Sequence, residues 1–163
     1  MFLTIKQLIS FPILLIGVAG TLMSINSPAI ASNCQALSVV GGSGTQVTKK
    51  VSPPATFYTK NDWNTDFSVP GGARFSSYVV RISSQDDAAY PMKGFLKYSD
   101  NTNDNFLNET VSLTAGGTKS FTATPRPVEP YQVNVLIGSL ESLGKTYTLA
   151  VEGCYPYPRN QKR

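Results

Sequence analysis

Along much of the chain, apolar and polar side chains alternate one for one. Tyr131, Val133, Val135 and Ile137 alternate with Gln132, Asn134 and Leu136, and Tyr147, Leu149 and Val151 with Thr146, Thr148, Ala150 and Glu152. Leu107, Val111 and Leu113 oppose Asn108, Thr110 and Ser112, while Phe121 and Ala123 oppose Ser120, Thr122 and Thr124. Tyr78, Val80 and Ile82 face away from Val79 and Arg81, and Met92, Leu96 and Tyr98 from Lys93 and Lys97. Successive side chains of an extended chain point to opposite faces, so this period of two predicts strands with one buried face. With Gln35–Val40, Thr45–Val51 and Trp63–Val69 the count reaches about nine strands.

Residues that tolerate positive φ separate these runs: Gly41 to Gly44, Pro70-Gly71-Gly72, Asp100 to Asn105, Ala115-Gly116-Gly117 and Leu143-Gly144. Past residue 31 no window carries a helical stripe. Short strands, each with one apolar face, predict an all-β domain of antiparallel sheets packed face to face. A single β-sandwich of jelly-roll or Greek-key type is the first choice and a closed barrel the second. Pro125, Pro127 and Pro130 cannot donate to a central ladder, so they predict an extended crossing between sheets.

The N-terminal stretch breaks the pattern. Lys6 precedes an apolar run from Leu8 to Met23, and Pro28 then leads into Ala29-Ile30-Ala31, a small-x-small site of the kind a signal peptidase cuts. The run contains Ser10 and Pro12 and, at 16 residues, falls short of the roughly 20 that a spanning helix needs. Asn33 occupies the place where a lipid-attachment site at Cys34 would want a small residue. The expectation is a signal peptide over residues 1–31, a sandwich over 32–154 and a flexible basic tail over 155–163. The protein is then secreted or periplasmic, with no integral membrane segment after cleavage. In that oxidising setting the two cysteines, Cys34 and Cys154, allow one connectivity and predict a disulfide joining the ends of the domain. A redox or metal role has neither a C-x-x-C pair nor a histidine behind it.

Charge and composition narrow the chemistry. Residues 32–163 hold 13 Lys and Arg against 10 Asp and Glu, and three of the cations are Arg159, Lys162 and Arg163 in the tail. The body is therefore balanced, which argues against a nucleic-acid groove. The absence of histidine removes the commonest general base and the commonest zinc ligand. Ser142-Leu143-Gly144-Lys145 fits S-x-x-K and Ser99-Asp100-Asn101 reads SDN, but their order is reversed relative to penicillin-recognising enzymes and no K-T-G follows. No enzyme is expected. Asp100, Asn103 and Asp104, with Asp86 and Asp87 as possible contributors, form an oxygen-rich set suited to calcium, although the spacing is not that of an EF-hand. No other cofactor is implied. Asn108-Glu109-Thr110 is a glycosylation sequon within a predicted strand.

Planar rings match the C–H face of a pyranose. Tyr58, Trp63, Tyr90, Tyr155 and Tyr157 lie off the core pattern and are the candidate ligand-binding residues, with Asn61, Asp62 and Asn64 as polar neighbours of Trp63. The alternation of Trp63 with Thr65 and Phe67 nevertheless turns its ring inward.

The stretch Asp62-Trp63-Asn64-Thr65-Asp66-Phe67-Ser68-Val69-Pro70-Gly71-Gly72 resembles the opening of bacterial pre-peptidase C-terminal domains, where an aromatic and an acidic residue precede a Phe-x-Val strand and a Gly turn. Gly94-Phe95-Leu96-Lys97-Tyr98 followed by Ser99-Asp100-Asn101 is similar to that family's central strand and acidic turn, and Tyr147-Thr148-Leu149-Ala150-Val151 to its last strand. The resemblance spans about residues 55–153, and Tyr90-Pro91-Met92 stands where the family usually has paired Asp. It implies a small jelly-roll-like sandwich that assists secretion or binds extracellular material without catalysis. The function expected is a secreted, bacterial-type, non-catalytic binding module for extracellular carbohydrate or envelope material. The alternative is a structural or adhesive envelope protein that assembles through sheet edges and its tail.

Overall fold

A computed structural model describes residues 33–54 and 62–156. The predicted signal peptide, Tyr58, Tyr157 and the basic end of the tail lie outside the described residues. Ten strands form two five-stranded antiparallel sheets, the expected β-sandwich, and no helix occurs among the described residues. In the first sheet β1 (Cys34–Ala36), β10 (Thr146–Cys154), β5 (Ser77–Ser84) and β8 (Thr118–Ala123) lie in that order, and β3 (Gln46–Lys50) also pairs with β10. The second sheet runs β2 (Ser38–Val39), β4 (Asn64–Ser68), β9 (Gln132–Ile137), β6 (Ala88–Lys97) and β7 (Asn103–Leu113).

The tenth strand arises because Gln35–Val40 serves both sheets. Cys34–Ala36 pairs with β10, and Ser38–Val39 pairs with β4. Between them Leu37 is 1% exposed, and its N–H donates to the Val151 carbonyl at 2.8 Å. A strand that switches sheets forms a corner of the sandwich, and the buried leucine is its pivot. The stretch with Pro125, Pro127 and Pro130 carries the chain from β8 in the first sheet to β9 in the second, as its missing donors predict.

Inner positions of both sheets close one core. Val80, Ile82, Leu149 and Val151 from the first sheet meet Phe67, Val133, Val135, Ile137, Met92 and Leu96 from the second. Gly94 has a steric role in this packing. The register between β6 and β7 shifts there, Gly94 opposing Leu107 and Phe95 opposing Asn105, so Phe106 is the extra residue of a bulge. A Cβ at Gly94 would come within 2.5 Å of the Phe106 ring. Glycine thus leaves room for that ring over the strand.

Four tyrosines are fully sequestered: Tyr78, Tyr90, Tyr98 and Tyr147 are each at most 1% exposed. The Tyr90 hydroxyl shares a 2.7 Å hydrogen bond with Ser84 Oγ and donates to the Thr146 carbonyl at 3.1 Å. Tyr98 donates to Asp104 at 2.8 Å. The Tyr78 hydroxyl has no hydrogen-bond partner among the described residues. A buried hydroxyl without a partner carries its full desolvation penalty. Tyr78→Phe is therefore expected to stabilise the fold by about 1 kcal/mol, whereas Tyr90→Phe, which removes the bonds to Ser84 and to the Thr146 carbonyl, should destabilise it by about 1 kcal/mol. Urea denaturation of the two variants checks the opposite signs. A loss of stability in Tyr78→Phe would show that this hydroxyl is satisfied after all.

Candidate functional site

The inward parity of Thr65 and Phe67 turns Asn64, Asp66 and Ser68 of β4 outward. The same rule turns out Gln132, Asn134 and Leu136 of β9, and Pro91, Lys93, Phe95 and Lys97 of β6. Strand register then sets these residues in rows across the second sheet. One row is Asp66, Asn134, Phe95 and Asn105; the next is Asn64, Leu136, Lys93 and Asn108; Pro91 and Thr110 begin a third. Directly opposed side chains sit about 5 Å apart, close enough to act together.

The polar members do act together. Asn134 donates from Nδ2 to Asn64 Oδ1 and to Asp66 Oδ1, and Lys97 Nζ donates to Asp66 Oδ1 at 3.2 Å. Although its side chain is on the outer face, Asn134 is only 3% exposed. Its amide is the hub that orients the carboxamide and carboxylate on either side of it. Phe95 and Leu136 are half-buried beside this network.

At one end the face opens into a groove of about 370 Å³, lined by Trp63, Pro91, Lys93, Asn108, Thr110 and Leu136 among others. Pro91 belongs to an interior strand, which the absence of an N–H ordinarily forbids. Its carbonyl accepts from Gly138 N at 3.2 Å, just beyond the end of β9, so its nitrogen faces a loop instead of a ladder. Trp63 is half-buried, packs against the edge of the core and also lines the groove. Its indole N–H donates to the Ser52 carbonyl at 2.8 Å, and a Cβ at Gly138 would fall 2.6 Å from the ring. Alternation predicts a ring turned inward and mostly buried; the structure packs it against the core at the rim, since Trp63 precedes the first residue of β4.

Among the predicted platform rings, Trp63 alone of the described ones lines this groove. Tyr90 is corrected outright: it is 0% exposed, edge-on to Tyr147 at 5.8 Å between centroids, because it continues the inner parity of Met92 and Leu96. Tyr155 follows β10 and packs against Phe75 at 4.8 Å, its hydroxyl 3.1 Å from Gln35 Oε1. Tyr58 and Tyr157 lie outside the described residues.

Most of the proposed calcium ligands are engaged by groups of the protein itself. Asp100 accepts from the Thr102 N–H at 2.9 Å and from the Thr102 hydroxyl, and it pairs with Arg126 at 3.1 Å. Hydrogen bonds from Thr102, reinforced by Arg126, hold the Asp100 carboxyl below the usual range. The Arg126 guanidinium in turn lies 3.7 Å over the Tyr98 ring. Asp104 is taken by the Tyr98 hydroxyl, and Asn103 is exposed. Asp86 and Asp87 accept backbone N–H groups from Thr146 and Ala115. No group of three acidic, histidine or cysteine ligands gathers among the described residues. These carboxylates brace loops. Ser142 of the S-x-x-K stretch is 0% exposed and bonded to Ser139 within its own loop.

The residues that build the face, Asn64, Asp66, Lys93, Phe95, Asn108, Asn134 and Leu136, carry a signal in the sequence only as the polar parity of separate strands. Their adjacency depends on β4, β9 and β6 becoming neighbours through long connections.

No family model matches the chain, and no curated protein matches it in sequence. Among solved structures it is similar to a mutant of a family 29 carbohydrate-binding module, at TM-score 0.43 and 8% identity over 76% of this chain and 74% of that one. It is also similar to a CBM4 structure, at TM-score 0.42 and 19% identity over 76% of this chain and 79% of that one. At these scores neither likeness bears on the function of this chain.

Proposed function

We propose that the chain is an exported, non-catalytic binding module that holds an extended glycan on the outer face of its second sheet. The observation that carries this reading is the pre-ordered network of Asn64, Asn134, Asp66 and Lys97 beside Phe95 and the Trp63 groove. Sugar hydroxyls both donate and accept. Planar carboxamides and carboxylates meet vicinal pairs of them, while half-exposed rings and aliphatic groups receive the C–H face. Side chains already fixed by one another lose little rotamer freedom when the ligand arrives. Glycoside hydrolysis ordinarily requires two carboxyl groups flanking the scissile bond. In these rows Asp66 is the one carboxylate, and Glu109 is paired with Lys119 at 2.9 Å.

The alternative of assembly through sheet edges has β7 in its favour, an 11-residue strand that pairs only with β6 among the described strands. The Phe106 bulge and the Glu109–Lys119 ion pair oppose it, since bulges and charges are the usual means of blunting an edge.

Retention on a panel of insoluble polysaccharides and on purified envelope tests the proposal. At least one polysaccharide should retain the protein. Asp66→Ala and Asn134→Ala should each weaken retention about tenfold, the equivalent of ~1.4 kcal/mol. Arg81→Ala, on the outer face of the first sheet, should leave it unchanged. No retention on any polysaccharide, or equal loss in Arg81→Ala, overturns the reading.

A further inference from the structure

We infer that the Trp63 end of this face takes an acidic sugar, a uronate whose carboxylate is met by Lys93; this rests on the glycan reading of the same face. The distribution of charge is what points there. Five of the described cations have a carboxylate partner: Lys49 with Asp62 at 2.7 Å, Arg81 with Glu152 at 3.7 Å, Lys97 with Asp66 at 3.2 Å, Lys119 with Glu109 at 2.9 Å and Arg126 with Asp100 at 3.1 Å. Lys93 has none among the described residues and is exposed in the middle of the second row, between Leu136 and Asn108. Lys50, Arg74 and Lys145 also lack one, but they lie off this face, in β3 and in loops. Lys97 is neutralised by Asp66, so Lys93 supplies the uncompensated charge of the outer rows.

The surroundings of Lys93 fit an anion on a sugar ring. The Asn108 amide and the Thr110 hydroxyl line the same groove and can donate. Glu109 also contributes to the lining, but it alternates with both residues along β7 and its carboxylate goes to Lys119 of the first sheet. Trp63, Pro91 and Leu136 form an apolar wall for the C–H face of the ring. An apolar wall beside a charge lowers the local dielectric and strengthens its attraction for an anion. A neutral sugar would leave the Lys93 ammonium in water, whereas a uronate pairs it through a charge-assisted hydrogen bond. The pairing remains solvent-accessible, so its contribution is moderate and falls with salt.

The test uses one polymer in two charge states, a polyuronate and its methyl ester, with a sulfated neutral polysaccharide as a third matrix. The protein should be retained about fivefold more strongly on the acid than on the ester at low salt. That preference should fall to near unity in Lys93→Gln, invert in Lys93→Glu and persist in Lys50→Gln. Equal retention on acid and ester, an unchanged preference in Lys93→Gln, or its loss in Lys50→Gln overturns the inference and leaves the glycan reading standing wherever the ester still retains the protein. Stronger retention on the sulfated matrix than on the polyuronate overturns the carboxylate assignment. If no polysaccharide retains the protein, both readings fall.

Discussion

Raising the pH above 10 is expected to destabilise the domain steeply and to unfold it within about two to three pH units. Tyr78, Tyr90, Tyr98 and Tyr147 all have their ionisation pushed up from the ordinary value of 10.0, and burial is the largest cause in each. Tyr98 is raised further by its hydrogen bond to Asp104, while for Tyr90 the Ser84 hydrogen bond opposes the effect of burial. A phenolate that would lie in the core has no water to solvate it, so the folded chain keeps these protons. The unfolded chain releases them near 10. Between the unfolded and folded values the native state therefore binds more protons, and stability falls as pH rises. Each retained proton contributes about 1.36 kcal/mol per pH unit, so Tyr78 and Tyr147, the two raised furthest, together contribute about 3 kcal/mol per unit, and Tyr90 and Tyr98 act in the same direction. A domain stable by about 5–15 kcal/mol does not withstand that for long. Tyrosinate absorbance and near-UV circular dichroism, recorded together from pH 8 to 13, check this. The absorbance of the four buried rings should rise only as the dichroism is lost. All eight tyrosines titrating together with the dichroism intact would refute it.

The same tyrosines show how far the sequence can be read. Alternation identifies Tyr78, Tyr98 and Tyr147 as inner residues, because each stands in an uninterrupted run. Tyr90 escapes it because Pro91 looks like the end of a strand. Yet β6 continues back to Ala88, since Pro91 turns its nitrogen toward the loop beyond β9. The run Gln35–Val40 has the right parity, but nothing in it reveals that its two halves pair in different sheets around Leu37. Asn134 reads as a solvent-facing polar residue. Its burial and its bonds to Asn64 and Asp66 come from a pairing between strands some seventy residues apart. Period-two patterning identifies which face a side chain occupies, whereas the partners on that face are decided by crossovers that leave no local trace. For this reason the strands and the disulfide are legible, and the candidate site is not.

Replacing Cys34 and Cys154 by serine is expected to cause the largest loss of stability of any pair of surface-proximal substitutions. The two residues are opposed in β1 and β10, and the bond closes a loop with a sequence separation of 120. A cross-link over that length restricts the unfolded ensemble by about 5 kcal/mol in the chain-entropy model. A local effect adds to this. β1 is three residues long and lies at the edge of its sheet, and the Leu37 pivot follows directly. Untied, β1 can fray from β10 and carry the Leu37 hydrogen bond to Val151 with it. The expected loss is about 3–5 kcal/mol, equivalent to a fall of roughly 10–25 °C in melting temperature. Denaturant titration separates the two contributions. An uncrosslinked unfolded chain is more expanded and exposes more surface, so the variant should show a steeper denaturant dependence than the oxidised protein. Fraying of β1 instead loosens the native state and lowers hydrogen-exchange protection at the Leu37 amide and at the amides that pair β1 with β10, leaving the rest of the sheet protected. A shift of less than about 1 kcal/mol with an unchanged slope would mean that the packing of Leu37, Phe67 and Leu149 holds the ends of the domain together without the bond.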